Sequence, residues 1–372
     1  MKSDERTQLP HWLNRDTLEQ HSVDMRQFMD FRQSTLSNGS RIIEVYNSSG
    51  LSFTILPDRG LDIWTAHYKG LPLTWISQGS PHPPDFGQSW LQQFNGGLLT
   101  TCGLTHVGPP ETDSKTGEHR DIHGKYSRLR AENLAVQGGW NTDNYQLELT
   151  GTVSEARLFD EQLRLVRTYR LSLGKPTIHI SDTITNLGDT PTPLMLLYHI
   201  NIGFPLVTEG ARLHIAHEAV HPRDDAARAG FDTWENYATA TPGFAEQVFY
   251  HHATTGEDNQ AMAALLQDDF GLALQWDTTN LPYFIQWKNT RQGIYVNGIE
   301  PGNCIPEGQN SARENKRLMM LKPGKTLSFS CQLQIIAGKE AVDQQKADIS
   351  KLRSTGTAVV GCKLNDYALL YK

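Results

Sequence analysis

The stretch that decides the fold is LSFSCQLQI, residues 327–335, in which apolar and polar side chains alternate from end to end. A period of two places successive side chains on opposite faces of a strand. LSFTI at 51–55 and IHIS at 178–181 repeat the pattern. Such alternation is typical of antiparallel strands that bury one face and expose the other.

Turn sequences separate these alternating runs along most of the chain. Examples are NG at 38–39, GG at 138–139 and KPG at 322–324. Many short strands between glycine and proline turns predict an antiparallel sandwich or barrel. Helical patterns occupy the two ends, at residues 12–31 and 339–352. We therefore predict a mainly all-β fold with helical N- and C-terminal additions.

No linker rich in proline, glycine and serine divides the chain, which favours one large β domain. We predict an N-terminal helical extension over residues 1–34, a β-sandwich domain over 35–338, and a C-terminal helix and tail over 339–372 that packs on the same domain. The tail, residues 357–370, has the composition of one more strand.

Composition limits the classes of binding partner and indicates the cellular compartment. The 34 basic and 41 acidic residues among 372 give a net charge of −7, and no basic run occurs, which disfavours nucleic acid as a partner. The four cysteines lack CxxC spacing, which favours reduced thiols in the cytoplasm over disulfides or a zinc site. The polar N-terminus and the lack of an 18-residue apolar run predict neither a signal peptide nor a membrane span.

Four segments break the alternation and combine glycine with histidine, asparagine or acidic residues: NGGLLTTCGL at 95–104, DIHGKYS at 121–127, LLYHINIGFPL at 196–206 and the region 287–304, which ends in YVNGIEPGNC. His199 lies at the centre of an almost wholly apolar strand. A buried polar ring costs free energy unless it has a partner, and that partner is either structural or a substrate. Glu300 ends an apolar strand and precedes Pro-Gly, either as a rigidly mounted carboxylate or as a surface acid beside a turn.

Together with LPDRGLDI at 56–63, these segments resemble the aldose 1-epimerase (galactose mutarotase) superfamily, and most closely a branch known only as aldose 1-epimerase-like. The resemblance covers residues 35–338. It implies a large antiparallel β-supersandwich of the galactose mutarotase type, whose concave face holds a sugar. The expected partner is thus a small-molecule sugar.

The resemblance also implies roles for individual residues. His199 matches the family's general acid, Glu300 its general base, and His123 a second histidine that contacts the sugar. The usual Gly-Arg-x-Ala-Asn-Arg motif is absent, and Asn95 stands in its place. Arg59 is a candidate for the missing guanidinium, although its neighbours equally suit a structural turn.

We also predict substrate contacts from the start of the fourth segment, Trp287 and Lys288. Aromatic residues on strands, Trp75 and Phe94 among them, are candidates for stacking on the sugar or for the core.

The implied reaction interconverts sugar anomers by removing a proton from the O1 hydroxyl and adding one to the ring oxygen. A general acid and a general base each contribute typically 10²–10⁴-fold. Because the protons move between oxygens, we expect no cofactor and no metal. As the base, Glu300 has to stay ionised, which a nearby cationic histidine or arginine favours.

Two alternatives remain open. The same pair on the same scaffold could abstract a proton from carbon, as a sugar epimerase or ketose isomerase, with a divalent metal polarising the carbonyl. His106, His123, His199 and Glu300 have suitable ligand types but no short metal-binding spacing. The other alternative is a non-catalytic carbohydrate-binding protein.

Two further expectations concern segments outside the motifs. Residues 208–256 form a long excursion that we expect to cap the cleft and tune specificity. Five histidines in polar, loop-like segments are predicted at the surface: His82, His217, His221, His251 and His252.

Overall fold

Strands dominate the computed structural model, which describes residues 13–79, 81–114 and 116–359. In chain order they are β1 (Met29–Thr35), β2 (Arg41–Asn47), β3 (Leu51–Leu56), β4 (Asp62–Tyr68), β5 (Leu71–Pro72), β6 (Thr100–Leu104), β7 (Glu111–Thr112), β8 (His119–Arg120), β9 (Ala131–Asn141), β10 (Asn144–Ala156), β11 (Gln162–Ser172), β12 (Thr177–Asn186), β13 (Thr192–Gly203), β14 (Arg212–Ile215), β15 (His217–Pro222), β16 (Gln247–Thr255), β17 (Gln260–Leu266), β18 (Phe270–Asp277), β19 (Tyr283–Arg291), β20 (Ile294–Gly302), β21 (Met319–Leu321), β22 (Thr326–Ala337) and β23 (Thr357–Ala358).

Helices are few and mostly short. The α-helices are α1 (Arg15–His21), α2 (Trp90–Gln93), α3 (Asp225–Ala229), α4 (Gln309–Glu314) and α5 (Lys339–Thr355), and single 3-10 turns occupy Met25–Gln27, Tyr126–Arg128 and Phe231–Thr233. Among the described residues, no helix is long and apolar enough to cross a membrane.

Three antiparallel sheets carry the architecture. The N-terminal sheet has the order β1-β2-β3-β4-β5. The outer sheet has the order β14-β17-β18-β22-β12-β11-β10-β9. The cavity sheet has the order β15-β16-β19-β20-β13-β21, with β6 paired to β13 and β23 paired to β16. Together these sheets form the mainly antiparallel β-sandwich that we predicted.

The alternating run at 327–335 lies within β22, between β12 and β18. Phe329, Cys331 and Leu333 are buried in the main core, while the intervening serine and glutamine side chains lie on the other face. The period-two pattern thus predicted both the strand and its buried face. The thiols of Cys102, Cys304 and Cys331 are free and buried, and Cys362 lies outside the described residues.

The predicted N-terminal helix is wrong in its second half. Within the described part of residues 12–31, α1 ends at His21, and β1 pairs with β2 from Met29 opposite Asn47 to Thr35 opposite Arg41. Met29 and Phe31 are buried in the core, so tertiary packing outweighs the loose helical spacing. The predicted boundary between residues 34 and 35 falls inside this strand.

The C-terminal helix agrees with its prediction over residues 339–352 and continues to Thr355 as α5. Of the predicted final strand, Thr357–Ala358 forms β23 on the edge of β16, and residues 360–370 lie outside the described part.

A buried ion-pair network joins all three sheets. The fully buried guanidinium of Arg167, on β11, contacts Asp182 of β12 at 2.7 Å and Asp62 of β4 at 2.6 Å. Asp62 also accepts a hydrogen bond from the hydroxyl of Thr101 on β6 (2.6 Å), and the hydroxyl of Tyr198 on β13 donates to Asp182 (2.7 Å). Each charge of this network is therefore paired, and each pair joins two strands.

Replacing Arg167 by methionine leaves two buried carboxylates without their cation. We expect this substitution to lower the free energy of unfolding by about 3–5 kcal/mol, as for other buried pairs that lose one partner. Arg170→Met is the matched control, since Arg170 lies on the same strand but forms a half-exposed pair with Glu148. Its expected cost is below about 1 kcal/mol. Urea unfolding measures both, and equal costs would contradict this account of the core.

Candidate active site

A cavity of about 690 Å³ lies over one face of the cavity sheet. Its floor comes from β13, β20, β19 and β16. Its walls come from the loop that contains α2, the loops that follow β6, β8 and β20, and the segment between β15 and β16. The residues that line it are Trp75, Trp90, Leu91, Phe94, Gly108, Pro109, Ile122, His123, His199, Arg223, Glu246, Val248, Tyr250, Ile285, Trp287, Asn289, Ile294, Glu300, Pro306, Glu307 and Ser311.

His199 and Glu300 meet on this floor. β13 pairs with β20 so that Ile200 lies opposite Ile299, which places His199 opposite Glu300 on the neighbouring strand. Directly opposite residues of antiparallel strands have Cβ atoms about 5 Å apart. The Nε2 atom of His199 lies 3.2 Å from Oε1 of Glu300, and both side chains are buried. Strand register thus joins two residues that are distant in sequence.

Gly298 makes room for the carboxylate. A Cβ atom at this position would lie 2.4 Å from Oε1 of Glu300 and 3.1 Å from Cβ of Trp287. Any larger residue would therefore push the carboxylate away from His199.

Aromatic rings surround the imidazole of His199. Phe94 and Trp287 meet it edge-on, with ring centroids 5.6 and 5.3 Å away. Trp90 stacks on Phe94 at 4.4 Å, and Trp75 meets Trp287 at 6.0 Å. Trp287, predicted as a substrate contact, therefore lies beside His199, and these rings keep the surroundings of the imidazole apolar.

His123 faces the same space from the loop after β8. Its ring centroid lies 6.2 Å from that of His199, and its backbone has a φ of 56°, in the left-handed region. Two hydrogen bonds hold the backbone of His123 in this unfavourable conformation. Its N–H donates to the carbonyl of Gly108, and its carbonyl accepts from the N–H of Gly103. Its Nδ1 atom has no hydrogen-bond partner among the described residues.

Burial sets the charge of the central pair. It raises the pKa of the Glu300 carboxyl well above its usual range and lowers the pKa of His199 to about 4. The expectation that Glu300 stays ionised is therefore wrong for the ligand-free cavity. Both groups favour their neutral forms, because no described cation lies close enough to offset the loss of water.

Three predicted substrate contacts lie elsewhere. Lys288 alternates with Trp287 along β19, so it points to the opposite face of the sheet, where its ammonium donates to the carbonyl of Thr233 at 2.7 Å. Arg59 is buried in a structural role: its guanidinium donates to the carbonyls of Ser127 (2.8 Å) and Gln93 (2.6 Å). Burial lowers the pKa of Lys288 to about 8 and that of Arg59 to about 10.

Asn95 is also buried away from the main cavity. Its amide donates to the carbonyl of Gly96 at 3.2 Å, and it lines a separate small pocket beside Arg59. The sequence motif that contains it therefore shapes the turn before β6, and the lining of the 690 Å³ cavity does not include it.

One wall contains two residues that no sequence motif marks, Arg223 and Glu246. Both belong to the excursion over residues 208–256. Arg223 contacts Glu246 at 3.0 Å and Asp224 at 2.8 Å, and the second oxygen of Glu246 accepts from the indole N–H of Trp287 at 2.8 Å. The excursion thus contributes to the cavity, but no local pattern distinguishes these two residues from other charged loop residues.

Three of the five histidines predicted at the surface are buried: His217, His251 and His252. The Nδ1 atoms of His217 and His251 lie 3.1 Å apart, and Trp234 packs against both rings. These histidines lie on strands β15 and β16, which the sequence analysis took for loops.

The proposed metal ligands do not form a cluster. Among the described residues, no three His, Cys, Asp or Glu side chains gather so that they could hold a metal ion. The ring of His106 is instead engaged by the backbone, with its Nε2 atom 2.9 Å from the carbonyl oxygen of Pro109.

Known protein families and solved structures include relatives of this chain. A family described as "Domain of unknown function (DUF4432)" matches residues 37–335. No curated protein matches the sequence significantly.

Solved structures share the fold. A crystal structure of a "putative aldose 1-epimerase" from Klebsiella pneumoniae is 27% identical, with a TM-score of 0.84 and coverage of 94% of each chain. A galactose mutarotase-like protein from Clostridium acetobutylicum has 14% identity and a TM-score of 0.56, covering 84% of this chain and 99% of its own. A galactose 1-epimerase from Lactobacillus acidophilus has 14% identity and a TM-score of 0.53, covering 83% and 99%. The resemblance inferred from the sequence is thereby confirmed.

The protonation of His199 can be measured directly. Since burial lowers its pKa to about 4, its ring should be neutral at about pH 6 and become cationic only below about pH 4. Nitrogen-15 NMR of labelled histidine distinguishes the two forms, and His199→Gln identifies the resonance. A cationic ring at about pH 6 would contradict the neutral pair.

Proposed function

Because the chain belongs to the DUF4432 family, for which no function is described, we propose its activity from the cavity: it interconverts the anomers of a reducing sugar by general acid–base catalysis. The observation that carries the proposal is the 3.2 Å approach of His199 and Glu300 on the cavity floor. Structural similarity to the Klebsiella protein described as a "putative aldose 1-epimerase" supports it.

The pair contains the two functions that ring opening requires. With a single proton between them, His199 and Glu300 always comprise one acid and one base, whichever group holds the proton. The base removes the proton from O1, the acid protonates the ring oxygen, the bond from C1 to that oxygen breaks, and a C1 carbonyl forms. After rotation about C1–C2, the reverse transfers close the ring on the other face.

We assign His199 as the acid and Glu300 as the base. In the ligand-free cavity, burial favours the proton on the carboxyl, so this assignment requires it to move to Nε2 of His199 as the sugar binds. The hydroxyl dipoles of a bound sugar would stabilise the resulting ion pair. The two atoms are close enough for the transfer to need no change in the fold.

The surrounding residues suit sugar binding. The faces of Trp287 and Phe94 offer apolar surfaces for the C–H groups of a pyranose, and their bulk excludes water from the reacting oxygens. The Nδ1 atom of His123, without a partner among the described residues, is a candidate for a hydrogen bond to a sugar hydroxyl.

Glu300→Gln tests the base. We expect the rate of anomer exchange to fall by about 10²–10⁴-fold while sugar binding persists, because the amide keeps the shape but accepts no proton. Two-dimensional exchange NMR on glucose and galactose measures the rate, and Glu257→Gln, at an exposed position, is the matched control.

Two results would contradict the proposal. Sugar binding by the wild type without anomer exchange would identify a non-catalytic binding protein. Incorporation of deuterium from heavy water into a C–H bond of the sugar would identify a carbon epimerase or ketose isomerase, since anomerisation exchanges only hydroxyl protons.

Gly298→Ala tests the geometry without removing either catalytic candidate. The added methyl group should displace the Glu300 carboxylate and lower the exchange rate by at least about tenfold. Gly139→Ala is the matched control, because Gly139 also lies on a strand and a Cβ atom there meets nothing within 4 Å. Equal exchange rates in the two variants would show that the position of the carboxylate does not limit the reaction.

A further inference from the structure

The cavity extends well beyond the acid–base pair. On its floor, Glu300 lies opposite Ile285 of β19, and Ile285 lies opposite Tyr250 of β16. Next to these residues, Trp287 of β19 lies opposite Val248 of β16. The carbonyl of Val248 accepts a hydrogen bond from the N–H of Arg223 at 2.9 Å. Neighbouring strands are about 4.8 Å apart, so the backbone of Arg223 lies about 14 Å across the sheet from that of Glu300.

A single sugar ring fills only part of this length. With bonds near 1.5 Å, opposite ring atoms of a pyranose are about 3 Å apart, and the hydroxyl oxygens on them extend this span to about 6 Å. A ring with its hemiacetal at His199 and Glu300 therefore leaves the region over Val248 and Tyr250 open. The volume of about 690 Å³ also lies within the range of about 300–1,000 Å³ that accommodates ligands much larger than a monosaccharide.

The open region, which we call the distal subsite, consists of Arg223, Glu246, Val248 and Tyr250. Its floor is apolar, and its rim carries charged groups that are roughly two-fifths exposed. A second sugar ring matches both features, because its C–H face is apolar and its edge carries hydroxyl groups.

The charges of the distal subsite indicate a neutral ligand. Arg223 is the one lysine or arginine among the described lining residues, and it already contacts two carboxylates, those of Glu246 and Asp224. The three groups together carry a net charge of −1. A phosphate or carboxylate on the sugar would meet this negative charge without a free cation to compensate for it.

We propose that the preferred substrate is a neutral reducing disaccharide, with its reducing ring at His199 and Glu300 and its second ring on the distal subsite. This inference rests on the proposed function for the position of the reducing ring. It also gives the excursion over residues 208–256 its role, since that segment supplies Arg223, Glu246, Val248 and Tyr250.

The test compares sugars that share a reducing ring. We expect the wild type to exchange the anomers of maltose with a kcat/KM at least about tenfold above that of glucose, and glucose 6-phosphate and glucuronate to fall below glucose. Val248→Trp, which fills the distal subsite, should lower the maltose-to-glucose ratio about tenfold. Val136→Trp, at a half-exposed position on β9, is the matched control and should leave the ratio unchanged.

Arg223→Ala provides a second variant at a half-exposed position, in case the larger side chain at Val248 disturbs folding. It should reduce kcat/KM for maltose more than for glucose, because it removes hydrogen-bond donors from the distal subsite.

The possible outcomes separate the two proposals. A maltose-to-glucose ratio near one that neither variant changes would overturn the distal subsite while anomer exchange stands. No exchange on any sugar, with calorimetric binding of maltose that Val248→Trp weakens, would overturn the proposed function and support the subsite. A preference for the anionic sugars would overturn the assignment of a neutral ligand.

Discussion

The architecture depends on the buried guanidinium of Arg167, which holds together strands of all three sheets. It neutralises Asp62 and Asp182, and Tyr198 donates to the same Asp182. Because successive residues of a strand face opposite sides, the tyrosine that points into this network makes its neighbour, His199, point into the cavity. The ion-pair network thus holds β13 in place on the face opposite the cavity. Such rigid support keeps the site residues in a precise arrangement.

From that fixed strand, register and local space define the site. Pairing of β13 with β20 brings the carboxylate of Glu300 beside His199, and Gly298 leaves the volume that this carboxylate occupies. Burial then drives both groups toward neutrality, which places the proton they share on the carboxyl of Glu300. The same burial that makes isolated charges costly therefore produces an acid and a base in one pair.

Much of the fold and of the candidate site was predictable from period-two patterns and motifs. The strand β22 and the central position of His199 in β13 are examples. The predictions that were wrong concern features that depend on contacts between distant segments of the chain. Lys288 directly follows Trp287, and because successive side chains of a strand alternate between faces, it lies on the opposite face of the sheet. Residues 29–35 form β1 instead of the predicted helix because Met29 and Phe31 are buried in the core. Arg223 and Glu246 carry no local signature, since only the pairing of β16 with β15 and β19 brings them to the cavity.

The most direct measurement is a crystal structure of the Glu300→Gln variant soaked with maltose. We expect O1 and the ring oxygen of the reducing glucose to lie within hydrogen-bond distance of residue 300 and His199. A sugar whose hemiacetal oxygens face solvent, or that binds outside the cavity, would contradict it.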